Sequence, residues 1–242
     1  MPELHISISA QPIFSIGGFE VTNSMLATMV VTIFLIGLAI SGKRYFHLKN
    51  KPRWVNFLQT IVESFYEFVA GISPQHAQKF FPLVATIFLF VLLGSWIGLL
   101  PGADSIGLTT VHGFVPFLRG ATADINTTLA LAIFAVVSVQ FYGYKHRGVK
   151  YFGKFLDFSS PINFFVGVLE LISEFSRVIS FAFRLFGNIF AGEVLLAVIA
   201  FLIPLVASLP FFGLEIFVGF IQALVFATLT LVFINIAVSE HH

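Results

Sequence analysis

Long apolar runs dominate this chain and restrict what it can fold into. Three stretches, at about 23–41, 80–100 and 125–142, carry almost no charge, and the chain from Pro161 to Ser239 is nearly continuously apolar. A helix of about 20 residues is long enough to cross about 30 Å of hydrocarbon. Because 57% of the residues are hydrophobic and only 10% are charged, we expect an all-α integral membrane protein.

Two prolines, Pro204 and Pro210, divide the final apolar stretch into spans predicted at about 161–203 and 210–238. Proline commonly ends a helix. The segment from Pro161 to Pro204 would measure roughly 66 Å as a helix, about twice the bilayer core. The sequence therefore predicts five membrane-crossing helices, the last two of which form a long tilted hairpin. Since no repeat or linker is evident, residues 1–242 are predicted to form a single membrane domain.

One further helix is predicted at about 54–72, where polar and apolar residues separate. Gln59, Glu63 and Glu67 recur at intervals of four, while the opposite side is rich in phenylalanine and aliphatic residues. Such an amphipathic helix is typical of a position along the membrane interface.

Basic residues orient the predicted spans. Nine of the 13 lysines and arginines lie in two segments, 43–53 and 145–154. Short cytoplasmic loops are enriched in these residue types. We therefore expect both segments and the C-terminus in the cytoplasm, with the N-terminus outside.

The composition also excludes several functions. A net charge of +1 gives no electrostatic support for nucleic-acid binding, and the absence of cysteine excludes disulfides and thiolate metal sites. His76 and His146 are separate loop residues without metal-ligand spacing. No cofactor or metal is expected. No phosphate-binding glycine loop is present, so nucleotide chemistry is expected on other chains.

Arg184 is the most informative single residue, because it lies in the middle of the fourth predicted span. An unpaired guanidinium at that depth would cost several kcal/mol unless it faced protein or water. Its charge is permanent, so it can hold a fixed positive potential in a proton path. At 100° per residue, one stripe of this helix contains Glu170, Glu174, Phe181, Arg177, Arg184, Asn188 and Ala191.

The last two spans share a predicted register. In an antiparallel hairpin, residues at equal depth have a constant sum of residue numbers; Arg184 with Gln222 gives 406, and Glu193 with Glu215 gives 408. Both sums predict a reversal near 203–204. Two carboxyl groups close together in a low dielectric cannot both ionise cheaply, so Glu193 and Glu215 either relay protons or lock the hairpin. Close helix approach is expected at five small residues, Gly187, Gly192, Gly219, Ala223 and Ala227.

The motif Arg184-Leu-Phe-Gly-Asn188, followed by Ala191-Gly192-Glu193 and Gln222-Ala-Leu-Val-Phe226, resembles subunit a of the F-type rotary ATP synthases. The resemblance covers most of the chain. It implies a stator that presses against a ring of small two-helix subunits, the c-ring, with two offset half-channels for protons. The further partners it implies are the peripheral stalk subunit b, the lipid bilayer and, indirectly, the soluble ATPase head.

The resemblance also implies residue roles. Arg184 matches the arginine that draws each ring carboxylate into its ionised form and separates the half-channels, with Asn188 and Gln222 beside it. Glu193 matches the acid of the outer half-channel, and Glu215 occupies its partner position. The remaining matches are Glu170 and Arg177 on the inner side, and Asp124 and Asn126 near the outer entrance; Glu174 is assigned to the inner path by geometry alone.

Alternatives remain at this stage. An aspartate such as Asp124 can simply cap the start of a helix. A proton-coupled secondary transporter or a structural subunit of a respiratory complex would also be hydrophobic. The bacterial plasma membrane is the expected location, with the thylakoid membrane as the alternative. Secondary transporters usually show internal repeats and interrupted helices around a substrate cavity. This sequence shows neither, which disfavours the transporter.

Overall fold

The computed structural model describes residues 10–46, 52–100, 106–110, 113–155, 160–202 and 208–239. Five helices in this part of the chain are long and apolar enough to cross a membrane. These are α1 (Asn23–Phe46), α3 (Ala77–Trp96), α4 (Ile125–Arg147), α5 (Pro161–Leu202) and α6 (Ser208–Val238), with α2 (Arg53–Ile72) between the first two. The predicted all-α membrane class is confirmed.

Helices α3, α4, α5 and α6 pack together around one hydrophobic core. Its largest fully buried side chains include Phe80, Leu185, Leu231 and Ile234. Small residues allow the helices to approach closely, since Ala182, Ala223 and Ala227 have no exposed surface. This four-helix core positions every candidate proton-path residue.

Helix α1 lies at the edge of this core and contacts mainly α3. Its outer side is open, with Ile33 71% exposed. At its first turn, the Ser24 hydroxyl donates to Asp124 Oδ2 at 2.8 Å, which fixes the start of α1 against the start of α4. Both α1 and α4 continue five residues past their predicted spans, because each ends in basic residues that suit a helix C-terminus.

Helix α2 covers one side of α3 with part of its apolar surface. The Phe65 ring stacks on Phe88 with centroids 4.6 Å apart, and Val69 is fully buried. Other apolar residues of α2 remain open, and Phe57 is 66% exposed. On the polar side, Gln59 Nε2 donates to Glu63 Oε1 at 2.7 Å. The helix has the predicted amphipathic character.

Two short antiparallel hairpins are an addition that the apolar pattern does not predict. β1 (Pro12–Ile16) pairs with β2 (Phe19–Thr22), and β3 (Gly107–Thr110) pairs with β4 (Gly113–Pro116). Gly17 and Gly18 have φ of 59° and 90°. A pair of glycines at positive φ is the signal for a tight hairpin turn, so the segment before α1 contains regular structure.

The two longest helices, α5 and α6, form the predicted antiparallel pair. α5 has 42 residues, about 63 Å, and α6 has 31. Pro161 opens α5, and Pro210 lies in the first turn of α6, where the missing N–H group costs nothing. The reversal predicted at 203–204 falls outside the described residues. The register can still be measured from the contacts between the helices.

Candidate functional site

The register of the α5–α6 hairpin agrees with the prediction to within one residue. The Glu215 carboxylate lies against Gly192, and the Phe181 and Phe226 rings have centroids 5.0 Å apart. In both pairs the residue numbers sum to 407, between the predicted 406 and 408. Glu193 and Glu215 therefore lie at nearly the same depth, and Arg184 lies level with the segment that contains Gln222.

Arg184 faces away from the core of its own chain. Its residue is exposed, whereas its neighbour Leu185 is 1% exposed. The guanidinium donates to the Ser180 hydroxyl, one turn away, at 3.2 Å, and lies 6.0 Å from the Phe181 ring centroid. Within the described residues, no carboxylate forms an ion pair with it. Most of its hydrogen-bonding capacity is therefore unused inside this chain.

The exposed residues around Arg184 are uncharged. Asn188 is exposed one turn further along α5, and Phe183 is 56% exposed beside it. A Cβ atom added at Gly187 would meet nothing within 4 Å. Gly187 lies on the open face and makes no close contact with the described residues, so the expectation of close approach at this position stays a prediction about another protein.

The predicted polar stripe of α5 is divided between two environments. Glu174 and Phe181 are buried, whereas Arg184, Asn188 and Ala191 are exposed. A stripe about 100° wide spans both the packed edge and the open edge of the helix. The residues of the stripe therefore do not share one environment.

In the N-terminal half of α5, two charged residues neutralise each other. Arg177 Nη1 donates to Glu174 Oε2 at 2.7 Å, and the Arg177 guanidinium lies 4.0 Å from the ring centroid of Phe233 on α6. Glu174 is 8% exposed, and Glu170, one turn earlier, is half-buried. The ion pair lies within α5, and the contact of Arg177 with Phe233 attaches this helix to α6.

At the other end of the site, Glu193 pairs with a residue that was not among the predicted site residues. Arg119 Nε donates to Glu193 Oε2 at 3.4 Å, and its guanidinium lies 6.0 Å from the Phe190 ring centroid. Arg119 lies in the segment between α3 and α4. Its position as a lone cation just before the α4 cap was the available signal.

Two glycines leave space for the carboxylates of Glu193 and Glu215. A Cβ atom on Gly192 would overlap the carboxylate of Glu215, and one on Gly120 would lie 3.0 Å from Glu193 Oε1. Glu215 is 4% exposed. Beside it, Trp96 Nε1 donates to the Ile216 carbonyl at 3.0 Å, and Gly219 fits against the indole ring. Glu193 and Glu215 thus occupy a compact region of α3, α5 and α6.

Asp124 is a helix cap. Its Oδ1 accepts from the backbone N–H of Asn126 at 3.1 Å, and its Oδ2 accepts from Ser24, as described above. The residue is 5% exposed, while Asn126 is exposed. The capping alternative is therefore present in the structure, and a role at the outer entrance stays a prediction.

The remaining predicted residues have less defined surroundings. Gln222 is half-buried, next to the fully buried Ala223. No hydrogen bond joins its side chain to Arg184 in the described structure. Among the described residues no group of three or more histidines, cysteines and acids could hold a metal ion. His76 and His146, predicted to be isolated, are in fact neighbours, with ring centroids 5.5 Å apart.

Comparison with known proteins gives one consistent result. Residues 24–235 match the family model described as ATP synthase A chain. The chain is also 39% identical over 224 residues to "ATP synthase subunit a" of Gloeobacter violaceus, an alignment that covers 90% of this chain and 85% of that protein. The match includes all the predicted site residues from Asp124 to Gln222 within its family-model range.

Proposed function

This chain belongs to the ATP synthase A chain family, and we propose that it forms the proton path of the membrane sector by facing a rotor ring of small two-helix subunits. The chain is a multi-pass membrane subunit of the ATP synthase complex and is not itself catalytic. Family membership sets aside the transporter and the respiratory structural subunit as alternatives.

The observation that carries the proposal is the outward position of Arg184. A guanidinium on an apolar, open helix face has a high free energy in lipid, but a low one beside a carboxylate of another protein. Its one described hydrogen bond, to Ser180, leaves donors for such a partner. Gly187 and Asn188 leave space next to it. A carboxylate on the rotor ring is the chemically matching partner.

Arg184 would act on each ring carboxylate in turn. Its positive charge favours the ionised form of the carboxylate, so the proton is released before the carboxylate passes the arginine. The same fixed charge opposes direct passage of a proton between the two half-channels. Asn188 and Gln222 would supply hydrogen bonds close to this exchange point.

The outer half-channel would run past Glu193 and Glu215, and the inner one past Glu170. Asp124 and Asn126 would lie near the outer entrance. The Glu174–Arg177 ion pair suits the wall of the inner path better than a proton carrier, because its charges already compensate each other. Moving one charge through 100 mV provides about 2.3 kcal/mol, and offset half-channels convert this free energy into directed rotation.

The other proposed contacts follow from the same arrangement. We place the N-terminus outside and the C-terminus in the cytoplasm, from the distribution of basic residues. Subunit b of the peripheral stalk would hold the chain against rotation, and the soluble ATPase head would be linked to it indirectly. The expected membrane is the bacterial plasma membrane, with the thylakoid membrane as the alternative.

Replacement of Arg184 by Ala tests the proposal. Loss of the preorganised charge should reduce proton-driven ATP synthesis by about a hundredfold or more, measured in vesicles that contain equal amounts of assembled complex. Lys150→Ala is the matched control, since Lys150 is an exposed cation in the 3₁₀ helix Gly148–Lys154 that follows α4, and it should retain synthesis. Coupled synthesis by assembled Arg184→Ala complexes would reject the proposal.

A further inference from the structure

A basic pocket opens at the end of the helical core where α3 begins and α4 and α6 end. It has a volume of about 320 Å³ and is lined by His76, Lys79, Phe80, Tyr142, Lys145, His146 and Val238. Pockets for small ligands have volumes of about 300–1,000 Å³. None of these residues belongs to the proposed proton path.

Two lysines and two histidines line this pocket. Lys79 and His76 come from the start of α3, and Lys145 and His146 come from the last turn of α4. In the described part of the chain, no carboxylate lies within 4.0 Å of either ammonium group. These basic side chains therefore line one pocket and have no carboxylate counter-ion among the described residues, which favours an external anion.

The floor of the pocket is apolar and aromatic. Phe80 is 2% exposed and its ring meets that of Tyr142 edge to face, with centroids 5.2 Å apart. Val238, the last residue of α6, is 4% exposed. The pocket thus combines apolar residues that belong to the hydrophobic core with basic residues at one end of three membrane-crossing helices.

Hydrogen bonds fix the helix ends that form the pocket. Arg147 Nη2 donates to the Ser239 carbonyl at 2.9 Å, which joins the end of α4 to the end of α6. The Ser73 hydroxyl donates to Asn235 Oδ1 at 2.9 Å, which joins the segment before α3 to α6. A site that is already ordered loses little entropy when a ligand binds.

From these observations we propose that the pocket binds the phosphate group of an anionic phospholipid headgroup. A free phosphate ion shares the charge chemistry but would gain nothing from Phe80, Tyr142 and Val238. A phospholipid places its phosphate at the end of the hydrocarbon region, where the four basic side chains lie, and its glycerol and upper chain carbons against the apolar floor. Basic pockets between helices at the membrane surface are suited to such headgroups.

The test uses the purified complex with the full chain, reconstituted in phosphatidylcholine vesicles that contain a phosphatidylglycerol with a photoreactive group beside its headgroup. Peptides covering 76–80 and 142–146 should be labelled. Lys79→Gln combined with Lys145→Gln should lower this labelling by about thirtyfold, and each single variant by about fivefold, because each lysine contributes independently. The single variants serve if the double variant does not assemble.

Control variants distinguish the loss of charge from structural damage, and competition experiments distinguish a bound lipid from a free phosphate ion. Lys150→Gln removes a nearby exposed lysine that does not line the pocket, and Lys79→Arg with Lys145→Arg keeps both charges; both should retain labelling. Equal labelling of the double glutamine variant would overturn the proposal. So would equal labelling by photoreactive phosphatidylcholine, or loss of labelling when inorganic phosphate, but not sulfate, is added, since that would identify a site for free phosphate.

Discussion

Two arginines seven residues apart on α5 have opposite environments. Arg177 is paired with Glu174 at 2.7 Å and stacks on Phe233 of α6. Arg184 is exposed, and within the described chain its side chain donates only to Ser180. The difference indicates that Arg177 is used to hold this chain together, whereas Arg184 is available to another molecule. Residue type alone does not distinguish structural from functional charges in a membrane helix.

Removal of Arg177 should have the largest effect on the stability of the complex. Arg177→Ala takes away the cation in contact with Glu174; the side chains are 21% and 10% exposed. The cost should therefore lie between about 1 kcal/mol, the value for an exposed pair, and about 3–5 kcal/mol, the value for a fully buried one. We expect less assembled complex and a lower unfolding temperature. Arg184→Ala should change neither by a comparable amount. Thermal unfolding of purified complexes measures the contrast.

The double variant Glu174→Ala with Arg177→Ala is the control for that experiment. It removes both charges, so it should recover part of the lost stability. If Arg177→Ala and Arg184→Ala destabilise the complex equally, the distinction between the two arginines is wrong.

Two glycines on the same helix provide a smaller test of the packed and open faces. Gly192→Ala places a Cβ atom in the space of the Glu215 carboxylate, and overpacking of this kind costs about 1–3 kcal/mol. Gly187→Ala meets nothing within 4 Å in this chain, so it should leave the unfolding temperature almost unchanged. We expect it to impair ATP synthesis instead, because a rotor subunit would pass close to it. An equal loss of stability in both variants would contradict this picture.

The smallest expected effect concerns Arg119 and Glu193. The pair is partly exposed, with side-chain exposures of 13% and 27%. Its interaction free energy is therefore about 1 kcal/mol or less, which corresponds to at most about a fivefold change in the rate of proton conduction. Arg119→Gln should slow proton conduction through the outer path by up to that factor, and Arg119→Lys should restore most of it. Passive proton flux in vesicles without the soluble head provides the measurement. A wild-type flux in Arg119→Gln would leave the ion pair without a functional role.

Much of the fold follows from the sequence because hydrocarbon imposes a simple length rule. The starts of α1, α4 and α5 coincide with the predicted spans. The hairpin register was also accessible, since polar residues at equal depth on two helices of an antiparallel pair obey a simple numerical relation. Gly192 beside Glu215 agrees with it.

The orientation of each helix face was less accessible. Lipid and the protein core are both apolar, so hydrophobicity does not indicate that Phe181 is buried while Phe183 is 56% exposed. Contacts made by loops were missed for a different reason. Arg119 reaches Glu193 across 74 positions of the chain, and His76 meets His146 because α3 and α4 both pack against α6, which brings the start of α3 to the end of α4.

The most direct test of the central claim asks what lies opposite Arg184. Because the chain contains no cysteine, Asn188→Cys places a single thiol one turn from the arginine on the open face, and Ile33→Cys places one on the exposed side of α1 as a control. With cysteines introduced along the outer helix of the ring subunit, mild oxidation should link Asn188→Cys to the ring and leave Ile33→Cys unlinked. Absence of any ring product from Asn188→Cys in assembled complexes, or equal products from both positions, would contradict the account.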